Sequence, residues 1–328
     1  MIPRSLQPVL QTALFKGRVV VLYGPRRVGK TTLVKQILTN ATGPTRYVNC
    51  DLPEQRQHLR TNLDALRTFL GANQLITIDE AQRVPEIGLV LKIIADEFPQ
   101  HQVIATGSSS FELAGQVGEP LTGRATHFRL LPISIGELIA AQQFAPDFSA
   151  FETRMVYGSY PNVIGMNEAT AIDFLENLRV DYLYKDILAF EQLRKADLVQ
   201  NLLKLLALQL GSEVSMNELA TQLGVNRSTI ERYLNLLEQT FVIFRVRALS
   251  RNPRKEIAKS FKVYFYDLGV RNAVINQFNG LNSRTDAGAL WENFCIAERI
   301  KTHFAQRRGA EYYFWRTYTQ HEVDWVEP

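Results

Sequence analysis

One glycine-rich stretch near the N-terminus constrains this chain more than any other feature. Gly24, Pro25, Arg26, Arg27, Val28, Gly29, Lys30, Thr31 and Thr32 follow the spacing G-x-x-x-x-G-K-[ST]. The apolar run RVVVLYG leads into it, and TTLVKQILTN follows with Leu33, Val34, Ile37 and Leu38 at helical spacing. A strand, a glycine turn and a helix in that order make a cradle for phosphate groups. The glycines let backbone N–H groups turn inward and the helix N-terminus adds its positive end. Lys30 then reaches β- and γ-phosphates, and the Thr31 hydroxyl is a ligand for Mg²⁺.

A second half of the same site follows at Leu75, Ile76, Thr77 and Ile78, an apolar strand ending in Asp79 and Glu80. Asp79 is positioned to hold Mg²⁺ through water, and Glu80 to polarise an attacking water as general base. Such a glutamate points to a hydrolase of ATP, because a small-molecule kinase must exclude water. One complete strand, TRYVNC, lies between Lys30 and Asp79, the arrangement of P-loop ATPases with an extra strand between the two motif strands. The fourth strand ends in Ala105, Thr106, Gly107, Ser108, Ser109 and Ser110. Ser108, with Thr106 as the alternative, is expected to contact the γ-phosphate or the water. A helix N-cap by one of the serines is the competing explanation.

Five apolar runs between Arg18 and Leu131 alternate with amphipathic stretches, among them EIGLVLKIIADEF with Leu89, Ile93 and Ile94 on one face. That alternation predicts an α/β fold with the parallel sheet of a P-loop NTPase. After Pro132 the pattern turns helical for over a hundred residues before aromatic and β-branched runs return at FVIFRVRALS and FKVYFYDLG. The expected division is an ATPase core at 1–135, a helical lid at 136–195, a winged helix at 196–268 and an α+β tail at 269–328. The chain has 328 residues, 46% apolar and 21% charged, which excludes a disordered protein. Cys50 and Cys295 stand far apart without neighbouring ligands, so neither a disulfide framework nor a zinc site is expected. The N-terminus lacks the apolar core of a signal peptide, and no run approaches the roughly 18 apolar residues of a membrane span. A cytoplasmic protein without membrane contact is the expectation.

The net charge of +4 is too mild to choose a partner, so the placement of charge matters more. Residues Ser215 to Glu238 read as helix-turn-helix, with Ala220 in the first helix and Gly224 at the turn. On the second helix Ile230, Tyr233, Leu234 and Leu237 form the buried stripe, leaving Arg227, Ser228, Thr229, Arg232 and Asn235 outward. The hairpin beyond adds Arg245, Arg247, Arg251, Arg254, Lys255, Lys259 and Lys262 against one acid, Glu256. A basic second helix with a basic wing is the layout of a binder of double-stranded DNA, the helix in the major groove and the wing on phosphates. Winged helices on ATPases also serve as lids or protein contacts. The alternative is therefore a nucleotide-gated switch that binds a protein partner without nucleic acid.

Taken together, GPRRVGKTT, LITIDEAQ, ATGSSS, EPLTGRATHFRLLPISIGEL and YGSYPNV resemble the bacterial and archaeal AAA+-like ATPases close to the signal-transducing NTPases. That family carries a domain of unknown function after the ATPase core, and the resemblance covers nearly the whole chain. It implies that Arg124 reaches a γ-phosphate in cis or from a neighbouring subunit of a homo-oligomer; pairing with a carboxylate such as Glu119 is the alternative. Gly158, Ser159, Tyr160 and Pro161 resemble the G-x-P element whose proline packs against adenine; a turn between helices is the alternative. The tail, from Trp291, Glu292, Asn293 and Phe294 to Glu322, Val323 and Asp324, resembles the start of a PD-(D/E)XK nuclease-like fold. The strand bearing E-x-K is missing before Pro328, so this tail reads as incomplete and no nuclease activity is expected from the chain.

Overall fold

The computed structural model describes residues 2–108, 120–143, 145–180, 196–249, 261–309, 311–317 and 321–327. They form two compact units, the first made of residues 1–131 with 304–307 and the second of 132–303 with 308–328.

All five apolar runs of the first unit become strands: β1 (Val19–Tyr23), β2 (Thr45–Asn49), β3 (Leu75–Asp79), β4 (Gln102–Gly107) and β5 (Ala125–Arg129). They pair in parallel in the order β2-β3-β4-β1-β5. Strands β1, β3 and β4 are buried throughout, as expected of central strands covered on both faces. Because β4 lies between β1 and β3, its end at Gly107 falls between the glycine loop after β1 and the carboxylates after β3. Around this sheet run α1 (Leu6–Thr12), α2 (Lys30–Thr39), α3 (Pro53–Arg56), α4 (Leu63–Leu70) and α5 (Ile87–Glu97). Helix α2 buries Leu33, Val34, Ile37 and Leu38, the stripe read from its spacing. Helix α5 differs from expectation. Its buried face is Ile87, Val90, Leu91 and Ile94, which share one side at helical spacing, while Leu89 lies on another side and is exposed.

The second unit contains α6 (Ile135–Ala140), α7 (Phe148–Tyr157), α8 (Glu168–Leu178), α9 (Ala196–Leu208), α10 (Met216–Leu223), α11 (Arg227–Gln239), α12 (Leu268–Ile275) and α13 (Ala287–Gln306). Its sheet has the order β10-β9-β7-β8-β6, from β6 (Glu213–Val214), β7 (Ile243–Ala248), β8 (Phe261–Phe265), β9 (Tyr313–Arg316) and β10 (Glu322–Val326). The segments drawn from sequence at 136–195, 196–268 and 269–328 share this one unit. Strand β9 extends the sheet by pairing with β7, and α12 packs on α7, α8 and α9. Gly224 closes α10 in the left-handed region at φ +63°, and α11 buries Ile230, Tyr233, Leu234 and Leu237 while Arg227 and Arg232 stay exposed. No helix among the described residues is long and apolar enough to cross a membrane.

Candidate nucleotide-binding site

The glycine loop joins β1 to α2 and is held in a narrow space. A Cβ on Gly24 would lie 2.1 Å from the Leu130 carbonyl oxygen, so only glycine lets β1 and the end of β5 approach this closely. Gly29 caps α2 with φ +94°, a backbone that disfavours any side chain. No acidic residue occupies the first turn of α2, which keeps the positive end of the helix available for an anion. Lys30 is buried, and its ammonium donates to the carbonyls of Gly24 at 2.8 Å and Pro25 at 2.9 Å. Burial pulls it down to about 8, against the nearby charges of Glu80 and Asp79, which favour the protonated form.

The carboxylate of Asp79 at the end of β3 gathers three hydroxyls. Its Oδ2 accepts from Thr31 at 2.8 Å and from Tyr47 at 2.6 Å, and its Oδ1 accepts from Thr106. Thr31 and Asp79, paired by sequence reasoning as metal ligands, are thus in direct contact. Burial, followed by the hydrogen bond to Asp79, raises the Tyr47 phenol and keeps it protonated. Glu80 takes left-handed backbone, φ +53°, and opens the 3-10 turn Ala81–Arg83. That reversal brings Gln82 back to the Glu80 carboxylate, Nε2 to Oε2 at 2.5 Å, and the same nitrogen reaches Ser108 Oγ at 3.3 Å. Thr106 also accepts from the Glu80 N–H at 3.3 Å.

Arg4, ahead of α1, is buried and donates from Nη1 to the Val28 carbonyl at 2.8 Å and from Nη2 to the Leu131 carbonyl at 2.6 Å. It ties the loop backbone to the end of the sheet. Arg4, Tyr47 and Gln82 were not singled out from sequence. Gln82 had a signal, since it stands two residues after Glu80 in DEAQ. Tyr47 had a weaker one, its place two residues before the end of β2. Arg4 had none, because its partners lie 24 and 127 residues away.

The remaining expected residues are scattered. Arg124 is partly exposed and pairs with Asp96 at 2.6 Å; Glu119, the carboxylate suggested by sequence, lies outside the described residues. Pro161 belongs to the second unit, where it opens the 3-10 turn Pro161–Val163. There a Cβ on Gly158 would meet Asp267 Oδ1 at 2.0 Å, and Asp267 Oδ2 accepts from the Ser159 N–H at 2.7 Å, which accounts for the glycine within its own unit. Two of the basic residues counted as anion-facing are used internally. Arg245 pairs with Glu238, and Lys262 lies among Glu292 at 3.3 Å, Asp324 at 2.7 Å and Glu322. Arg251, Arg254 and Lys255 lie outside the described residues, as do Ser109 and Ser110. No group of three His, Cys, Asp or Glu residues suited to a metal ion occurs among the described residues.

Comparisons with known proteins agree with this geometry. The family model described as "AAA domain" matches residues 16–139, and two models described as domains of unknown function match 149–281 and 287–327. An uncharacterized protein of Mycobacterium tuberculosis is 28% identical over 319 residues, 96% of this chain and 68% of its own length. An uncharacterized protein of Methanocaldococcus jannaschii, MJ1637, is 24% identical over 343 residues, covering 90% of this chain and 72% of its own. Among solved structures, the Walker-type ATPase PABY2304 of Pyrococcus abyssi shares the fold with a TM-score of 0.56 at 14% identity, over 83% of this chain and 94% of that one. With its parallel sheet, glycine loop and carboxylate strand, the first unit has the fold of a P-loop NTPase and matches the AAA domain model over nearly its whole length.

Proposed function

We propose that the first unit binds ATP with Mg²⁺ and hydrolyses it, and that the second unit couples this cycle to double-stranded DNA. The observation that carries the first part is the convergence of Lys30, Thr31 and Asp79 at the ends of β1 and β3, with Glu80 next in the chain. The donor set is one hydroxyl and one carboxylate, all oxygen, which suits Mg²⁺. Thr31 and Asp79 would hold that ion, whose part is to offset charge on the β- and γ-phosphate oxygens. Backbone N–H groups from Gly24 to Thr32 surround the phosphates, Lys30 exchanges two carbonyl partners for phosphate oxygens, and Glu80 accepts the proton of the attacking water. Arg124 serves as an arginine finger, in cis or from a neighbouring subunit, once it leaves Asp96. Glu80→Gln is expected to bind ATP and turn it over at least about 100-fold more slowly; full turnover in this variant refutes the base assignment.

The reading of residues 196–268 as a winged helix is supported by α10 and α11 lying between β6 before them and β7 and β8 after them, strands that pair antiparallel in the order β7-β8-β6. Arg227 and Arg232 on α11 would reach the major groove, and Arg251, Arg254 and Lys255 the phosphates. Changing the last three to Glu should abolish salt-dependent DNA binding with ATPase activity intact, and unchanged affinity would sink this part. A protein-binding switch is the second reading. The internal pairing of Arg245 and Lys262 favours it, since it removes two charges from the basic face.

A further inference from the structure

Gln82 stands between the two groups assigned to the water, and its hydrogen bonds divide their atoms in a definite way. Its Nε2 gives one hydrogen toward Glu80 Oε2 at 2.5 Å and the other toward Ser108 Oγ at 3.3 Å. Its Oε1 is buried and accepts no hydrogen bond among the described residues. The orientation of the amide follows from chemistry, because reversing it would press Oε1 against the Glu80 carboxylate. The left-handed Glu80 and the 3-10 turn after it set the backbone from which these two side chains, two residues apart, meet.

We infer that Gln82 is a positioning residue for hydrolysis, one amide that orients both the general base and the strand-end hydroxyl. With Oε2 of Glu80 held, Oε1 accepts nothing else among the described residues and remains for the water. With a lone pair of Ser108 Oγ occupied by Gln82, the hydroxyl proton points away from the amide and is available to a phosphoryl oxygen or to the water. A shift of Ser108 toward a bound γ-phosphate is transmitted through a single nitrogen to Glu80. Base and hydroxyl thus move together. This inference rests on the assignment of Glu80 as base.

The test is steady-state ATP hydrolysis by the full chain, with melting curves to confirm folding. Gln82→Ala should lower kcat by about 100-fold while KM for ATP stays within about threefold, the split expected of a group acting on the water and not on the nucleotide. Gln82→Glu keeps the size of the side chain but replaces the donor with a carboxylate, and should lose turnover as far as Gln82→Ala. The Gln82→Ala, Ser108→Ala double variant should be no slower than the slower single variant, since the link is already cut. Wild-type kcat in Gln82→Ala, recovered kcat in Gln82→Glu, or fully additive losses in the double variant would each overturn the inference. Glu80→Gln measured alongside separates the two levels. If that variant is inactive and Gln82→Ala is normal, only the role of Gln82 fails; if Glu80→Gln turns over normally, the base assignment fails and Gln82 with it.

Discussion

Lys30 in the first unit and Lys262 in the second are both almost fully buried, at 5% and 4% exposure, yet they are satisfied by opposite means. Lys30 has two backbone carbonyls as hydrogen-bond partners and, among the described residues, no ion pair with a carboxylate. Lys262 has three carboxylates, Glu292, Glu322 and Asp324, and one of them also accepts from Tyr264. Burial pulls Lys30 down to about 8, whereas at Lys262 burial is outweighed by hydrogen bonds to Asp324 and Glu322 and by the charge of Glu292, so its ammonium is raised. A buried cation bonded only to carbonyl dipoles, with Asp79 and Glu80 near but not paired to it, is incompletely neutralised, and a phosphate would supply the missing charge. A buried cation inside a ring of anions is already neutralised and serves to hold the ring together. The difference supports, without reference to motif, the proposal that Lys30 meets an anionic ligand while Lys262 is structural.

The largest effect is expected from Lys30→Met. Nucleotide affinity should fall by more than about 100-fold in a fluorescent-nucleotide titration, while the melting free energy changes by less than about 1 kcal/mol, because an incompletely compensated ammonium is removed. Retained affinity would erase the distinction between the two lysines. Lys262→Met should do the reverse, costing about 2–3 kcal/mol in urea unfolding by leaving three carboxylates together, with nucleotide affinity unchanged.

Acid should probe the second unit through another ion pair. Asp286 accepts from Arg284 and Arg271, and the Arg284 hydrogen bond above all holds it at about 2. Unfolded, it titrates near about 4. Between these values the unfolded chain binds the proton first, so this contribution to stability is present above about 4 and is lost as pH falls toward 2. Circular dichroism along an acid titration should show the loss, and Asp286→Asn should flatten that part of the curve. The smallest effect belongs to Tyr47→Phe, which removes one of three hydroxyls on Asp79. A loss of about 1 kcal/mol in stability is expected, read by urea unfolding; no loss would mean that Thr31 and Thr106 satisfy Asp79 alone.

Much of the candidate nucleotide site was legible because its parts are contiguous. Gly24 to Thr32 make a complete loop from neighbouring residues, and Asp79 and Glu80 end a strand recognisable by its apolar run. Strand order was legible in part, since the extra strand between the motif strands could be counted. The face of α5 differs at Leu89 because a richly apolar helix offers more than one stripe, and only packing chooses which of them is buried. Two of the seven cations counted on the basic hairpin, Arg245 and Lys262, pair internally. Charge along a sequence carries no sign of which side of a strand it occupies, and Lys262 on β8 faces carboxylates from α13 and β10.

By itself the sequence determined the phosphate loop, the carboxylate pair, the helix-turn-helix stripe and the five parallel strands, all properties of period and spacing within a few residues. Tertiary structure decided the rest: that Asp79 is shared by Thr31, Tyr47 and Thr106, that Arg4 secures the loop, and that the strands after Tyr313 join the sheet of β7. Each of these joins residues that are tens or hundreds of positions apart. Local periodicity selects helix or strand, but which distant polar groups meet depends on how the elements pack, and only there is each buried donor given its acceptor.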